Sequence, residues 1–305
     1  MHSGIFFAAT AYLCWGLFPL YFKALHHIPA MVILPHRMVW SAVFLAVLLL
    51  FLRRWNWLRL IVTHKRILMS SLCSALLLCL NWFVYIWAVN TGHIVDASLG
   101  YFMNPLVNIL IGAIFFHEKL RNGQWLALAL AAAGVAWLTL QADALPWIGL
   151  TLAFSFAFYG VMRKLAHLGA LEGLALESFI LFPFALSALC YFGAEGVDYY
   201  VNADAADRIL LMAGGPITAI PLLLFAAGAR RIPFSTLGFL QYLAPTGQLL
   251  LGVWLYHEPF AATKIAGYAA IWVALTLYSV EGLWHSRQRR RAGEGRGRSE
   301  RVLQQ

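Results

Sequence analysis

The sequence predicts an all-α integral membrane protein: ten transmembrane helices arranged as two inverted five-helix halves. Three observations predict it. Apolar residues make up 62% of the chain and charged residues 11%, with a mean hydropathy of +0.73. A water-soluble domain carries roughly 25% charged residues, so most of this surface must face lipid. Apolar runs long enough for the roughly 20 residues of a spanning helix recur from end to end. Third, the pattern around residue 105 returns around residue 245.

Ten spans follow in order, at residues 4–22, 36–52, 67–89, 95–116, 123–140, 145–162, 171–192, 209–227, 234–256 and 261–283. The first has no basic n-region and no small-residue cleavage site, so it is expected to stay in the protein. Connections are too short to hold a soluble domain. Lys and Arg gather in alternate connections: Arg53, Arg54, Arg59, Lys65, Arg66, Lys119, Arg121, Arg163, Lys164, Arg230 and Arg231 on one side, with the arginines of the tail. The other side holds Lys23, Arg208 and Lys264 among Asp143, Glu195, Asp198, Asp204 and Asp207. The positive-inside rule then places both termini in the cytoplasm. The net charge of +9 is therefore mainly a topology signal, and no folded basic face exists to bind nucleic acid. Residues 286–305 read as a basic, disordered cytoplasmic tail that can meet lipid headgroups. Cys14, Cys73, Cys79 and Cys190 lie inside spans without metal-ligand spacing and are expected as buried free thiols.

The repeat fixes the halves. Pro105 and Pro245 stand 140 positions apart, as do Gly112 and Gly252, His117 and His257, and Glu118 and Glu258. Upstream the spacing is 138, for Leu99-Gly100 and Leu237-Gly238, so two residues are inserted before the second proline. The halves are residues 1–143 and 144–285. Five spans each is an odd number, so the second half enters from the opposite side. Inverted halves of this kind characterise secondary transporters, whose sites lie near the bilayer midplane where interrupted helices meet.

The chain resembles the drug/metabolite transporter superfamily of EamA type, and within it the RarD group. The resemblance rests on HRMVWS at 36–41, NWFVYIWAVN at 81–90, ASLGYFMNPLVN at 97–108, AFSFAFYG at 153–160 and STLGFLQYLAPT at 235–246. It implies ten helices, two inverted repeats, a bacterial inner (plasma) membrane and a group named for chloramphenicol sensitivity.

Ionisable residues inside spans cost roughly 2.5–3.5 kcal/mol at the centre and mark function. Arg37 and Asp96 open their spans from the periplasmic side at one depth and are expected to pair, with His36 beside them; snorkelling of both to the interface is the structural alternative. Glu177 enters from the cytoplasmic side, about two turns in, where the inverted pairing places the equivalent of His36. It is a candidate for proton coupling or for recognising a cationic solute, against a plain helix–helix hydrogen bond. His117-Glu118 and His257-Glu258 lack the HExxH spacing of a zinc site and fall on opposite sides of the membrane. They are expected to end the fourth and ninth helices and contact the helices that follow. Tyr12, Trp15, Asn81, Trp82, Tyr85, Tyr101, Asn104, Tyr159, Gln241 and Tyr242 are expected to line a translocation cavity, since aromatic walls suit apolar, planar or cationic solutes. Pro105 frees the carbonyl of Tyr101, with Asn104 and Asn108 placed to satisfy it or to meet a solute. Pro245, with Gln241 and Gln248, marks the matching break, so the fourth and ninth helices should be bent.

These features predict a secondary transporter of a small organic solute, exporting it against a proton gradient. Uptake or facilitated diffusion is the alternative within transport, and a membrane scaffold or lipid-handling protein the alternative outside it. No serine elbow, phosphate loop, carboxylate metal cluster or zinc motif supports catalysis, so no enzyme, cofactor or metal is expected. Partners are the solute, H+ and membrane lipids, with the chain acting as a monomer or homodimer.

Overall fold

The computed structural model describes residues 2–91, 94–140, 147–195, 200, 204–257 and 262–303. Its helices are α1 (His2–Gly16), α2 (Phe18–Ala24), α3 (Ala30–Leu52), α4 (Trp57–Thr63), α5 (Lys65–Asn90), α6 (Ile94–Ile114) and α7 (Asn122–Leu140). The second half holds α8 (Trp147–Leu165), α9 (Ala170–Ala194), α10 (Ala205–Ala229), α11 (Phe234–Gln241), α12 (Leu243–Leu250), a π-helical turn at Leu251–Leu255 and α13 (Ala262–Leu303). Among the described residues, eight stretches are long and apolar enough to cross a bilayer: α1 with α2, α3, α5, α7, α8, α9, α10 and residues 263–282 of α13. The other two expected spans are those of Pro105 and Pro245: the fourth includes the shorter apolar helix Gly100–Ile114, and the ninth is divided into α11, α12 and the π-helical turn. Phe51 and Leu140, 84% and 83% exposed, show the outer surface a lipid-embedded bundle presents.

Helix pairings come in couples that exchange when the halves are exchanged. α1 packs on α10 as α5 packs on α8, and α6 packs on α8 as α12 packs on α1. α3 with α9, α6 with α11, and α7 with α13 pair across the halves. Small residues permit these approaches, as membrane helices require. A Cβ on Gly134 of α7 would sit 2.6 Å from the Gly267 carbonyl of α13, and one on Gly215 of α10 would meet the backbone of Trp40 in α3.

Prolines shape the spans that carry them, but unequally. Pro19 cannot bond the carbonyl of Trp15, the chain breaks at Leu17 between α1 and α2, and Gln248 Nε2 donates to that carbonyl at 3.0 Å. Pro245 likewise cannot bond the carbonyl of Gln241, and α11 ends at Gln241. α6, by contrast, runs unbroken through Pro105. The expected pair of matching breaks is therefore one break and one continuous helix.

The polar connections meet at one end of the bundle. Lys164 Nζ donates to the carbonyls of Ala229 (3.1 Å) and Ile232 (2.6 Å), Arg230 Nη1 donates to the carbonyl of Leu168, and Arg54 pairs with Glu172 at 3.4 Å. The start of α1 lies here too, since a Cβ on Gly4 would meet Arg231. α13 continues helically to Leu303 where the sequence suggests an irregular flank. The cysteines are free, but Cys73 and Cys190 are exposed on the outside rather than buried, because a lipid-facing position is as apolar as a core one.

Candidate functional site

Two groups of ionisable and aromatic side chains lie inside the bundle. The first is built on Glu177, two turns into α9. Its Oε1 accepts from Ser74 Oγ of α5 at 2.6 Å and from Arg163 Nη1 of α8 at 3.1 Å, and its Oε2 accepts from Tyr159 OH at 3.3 Å. Arg163 Nη2 also donates to the carbonyls of Gly169 (3.4 Å) and Ala170 (3.0 Å), which close the α8–α9 turn. The side chains of this ion pair are 1% and 2% exposed. Glu177 borders two pockets at once. One is lined by Trp82, Thr218, Ser41 and apolar side chains of α3, α5, α9 and α10. The other lies among Ser70, Ser71, Arg163 and His167 at the polar end of the bundle. Both are narrow, and the carboxylate stands between the apolar one and the polar one.

Arg163 and Ser74 escaped the sequence reading. Arg163 adjoins Lys164 at a helix end and reads as one more positive-inside residue, whereas its side chain turns inward. Ser74 carries no sequence signal at all.

The second group surrounds Arg37 of α3. Its Nε donates to Thr218 Oγ1 of α10 at 2.8 Å. Its guanidinium carbon lies 5.7, 5.3 and 5.8 Å from the ring centres of Phe18, Phe22 and Trp82. The rings of Tyr85 and Tyr101 meet edge to face at 5.9 Å on the same side. Tyr101 is 38% exposed. The expected partner, Asp96, has a side chain outside the described residues, so the Arg37–Asp96 pairing does too. His36 points elsewhere and stacks on Tyr200, ring centres 5.3 Å apart.

The spans of Pro105 and Pro245 pack on each other through α6 and α11. Asn108 Nδ2 donates to Gln241 Oε1 at 2.5 Å, linking α6 to the end of α11. A Cβ on Gly238 would lie 2.7 Å from the Pro105 carbonyl, so the two spans touch at their repeat positions. Among the described residues, nothing hydrogen-bonds Asn104 Oδ1, Asn108 Oδ1 or the hydroxyls of Tyr12 and Tyr242. Tyr12, Trp15, Phe156, Tyr159 and Phe225 form one aromatic cluster joining α1, α8 and α10. Of the residues expected around a cavity, Tyr12, Tyr159 and Tyr242 are fully buried, while Asn81 ties α5 to Leu152 and Ser155 of α8. Trp82, Tyr85 and Tyr101 gather at Arg37.

The repeated His-Glu pair has a shared geometry. His117 and His257 both adopt left-handed backbone, φ 50° and 52°. In the first copy this turn sends the Glu118 carboxylate to the start of α11, where it accepts from Phe234 N (2.6 Å), Ser235 N (2.8 Å) and Ser235 Oγ (2.7 Å). Gly112 makes room, since a Cβ there would lie 2.9 Å from Glu118 Oε2. The pair ends its helix, but it contacts the opposite half rather than the helix that follows. A carboxylate satisfies the orphan amides of a helix N-terminus better than any neutral group. Glu258 lies outside the described residues.

Comparison with known proteins agrees with this architecture. Residues 2–140 match the model of the EamA-like transporter family. An uncharacterised transporter of Pseudomonas aeruginosa is 44% identical over 95% of this chain and 97% of its own. Protein RarD of Escherichia coli is 43% identical over 94% of this chain and 97% of its own. A solved crystal structure covering 91% of this chain and 98% of its own superposes with a TM-score of 0.66 at 19% identity, a likeness of fold.

Proposed function

The chain belongs to the EamA-like transporter family, in the group that carries the name RarD, and from that premise we propose that it is a proton-coupled secondary transporter of a small organic solute. Membership makes it a multi-pass membrane transporter. Residence in a bacterial inner membrane with both termini cytoplasmic, export as the direction, and amphenicols among the solutes complete the reading. The single observation that carries the coupling is Glu177. Its carboxylate stands between a narrow apolar pocket and a narrow polar one, and is tied to Ser74 of α5 and to Arg163 and Tyr159 of α8.

The mechanism follows from that placement. A proton on Glu177 removes the charge that holds Arg163 and converts an acceptor of the Ser74 or Tyr159 hydroxyl into a donor. Both changes loosen the contact that closes this end. The charged groups that bear on the pair are Glu172 and Arg230, with Tyr159 the titratable neighbour and His167 lining the same pocket. With Glu177 ionised the end is held shut and the solute site communicates with the Arg37 side. Under the expected orientation that side is periplasmic.

The test is solute-dependent proton flux in proteoliposomes across amphenicols, amino acids and organic acids. A member of the panel is expected to carry protons with it. Solute movement without protons overturns the coupling, and no movement of any solute overturns transport of these classes.

A further inference from the structure

We propose that the transported solute is an aromatic monocarboxylate and that Arg37 binds its carboxylate. The proposal rests on the transport reading for its consequence, but its site is argued from geometry alone. An arginine in a membrane interior is costly unless its donors are used. Arg163 shows what a structural one looks like, with Glu177 and two backbone carbonyls engaging its terminal amino groups. Arg37 differs. A guanidinium has five N–H donors, and one of them, on Nε, is engaged by Thr218. No described residue accepts from its two terminal amino groups.

What surrounds those groups is aromatic. Phe18, Phe22 and Trp82 all lie within 6 Å of the guanidinium, where ring faces stabilise a cation without consuming its donors. The charge is kept while the planar, two-pronged edge stays free, which is the edge that binds a carboxylate bidentately. Tyr85 and Tyr101 add two hydroxyls near the same charge. The body of the ligand has a direction as well. Thr218 and Trp82, both touching Arg37, line a narrow seam whose other walls include Met38, Leu78, Leu181, Leu222 and Glu177. A carboxylate on Arg37 therefore directs an apolar or aromatic body along this seam, which must widen to admit it.

The probes are 3-phenylpropionate and its uncharged amide, measured for binding by tryptophan fluorescence and for movement in proteoliposomes. The wild-type protein is expected to bind the carboxylate at least tenfold tighter than the amide. Arg37→Gln is expected to bring the two within twofold by loss at the carboxylate alone, and retained amide binding certifies its fold. Arg37→Lys keeps the charge without the fork and should fall between. Equal binding of both probes by the wild type, or an undiminished carboxylate preference in Arg37→Gln, overturns the proposal. So does a preference lost in Asp96→Asn but kept in Arg37→Gln. Movement of the amide without any carboxylate preference leaves transport standing and removes the anion site. Arg37-dependent binding without movement of either probe leaves the site standing and removes transport.

Discussion

Replacing Arg163 by Met strands a carboxylate. Glu177 keeps Ser74 at 2.6 Å and Tyr159 at 3.3 Å but loses its counter-charge, in a place where both side chains of the pair are 1–2% exposed. Breaking a buried pair from one side costs about 3–5 kcal/mol. Arg163→Met also gives up its bonds to the carbonyls of Gly169 and Ala170, about 1 kcal/mol each. Glu177→Gln is milder, because the carboxamide oxygen still accepts from a hydroxyl and Arg163 still holds the turn. The double variant removes both charges together and should cost about 2 kcal/mol, the two turn bonds alone. It is thus expected to be more stable than Arg163→Met by about 3–5 kcal/mol, with a coupling energy at least that large. Reversible unfolding of the four proteins in detergent micelles measures this cycle. Additive single effects, with the double variant the least stable of the four, would refute the claim that the two charges hold each other.

Glu118→Ala removes three bonds to the start of α11 and should lower stability by about 2 kcal/mol, the upper range for a lost N-terminal cap; a melting temperature equal to wild type contradicts it. Gly215→Leu forces α10 away from the Trp40 backbone and should abolish accumulation of folded protein. Gly282→Leu, with nothing within 4 Å of its Cβ position, should be silent on the same gel-filtration profile. In a cysteine-free background, Asp204→Cys should react with an impermeant maleimide from the periplasm and Arg59→Cys only after the cells are opened. The reverse pattern inverts the orientation.

The class of fold was legible because lipid imposes long apolar runs, while the division into inverted halves rests on the Pro, Gly and His-Glu positions that recur in register. The asymmetry of the two proline spans was half visible. The inserted pair of residues could be counted, but whether a helix breaks or bends around a proline depends on who satisfies the freed carbonyl. Gln248 does so for Trp15, 233 residues away. Glu177 stood out because a carboxylate inside a span has no cheap explanation. Arg163 did not, because helix-end basic residues are expected whichever way they point. The aromatic setting of Arg37 draws on α2, α5 and α6 at once, and side-chain direction across three helices is not written in local periodicity.

The central claim is that Glu177 couples proton movement to solute movement, and Glu177→Gln in proteoliposomes tests it most directly. Carboxamide at this position cannot take up and release a proton, yet it preserves the size and much of the hydrogen bonding. The account predicts that solute exchange persists while accumulation driven by a pH gradient disappears, with the Arg163→Met/Glu177→Gln protein behaving alike. Gradient-driven accumulation at the wild-type level in Glu177→Gln would contradict it.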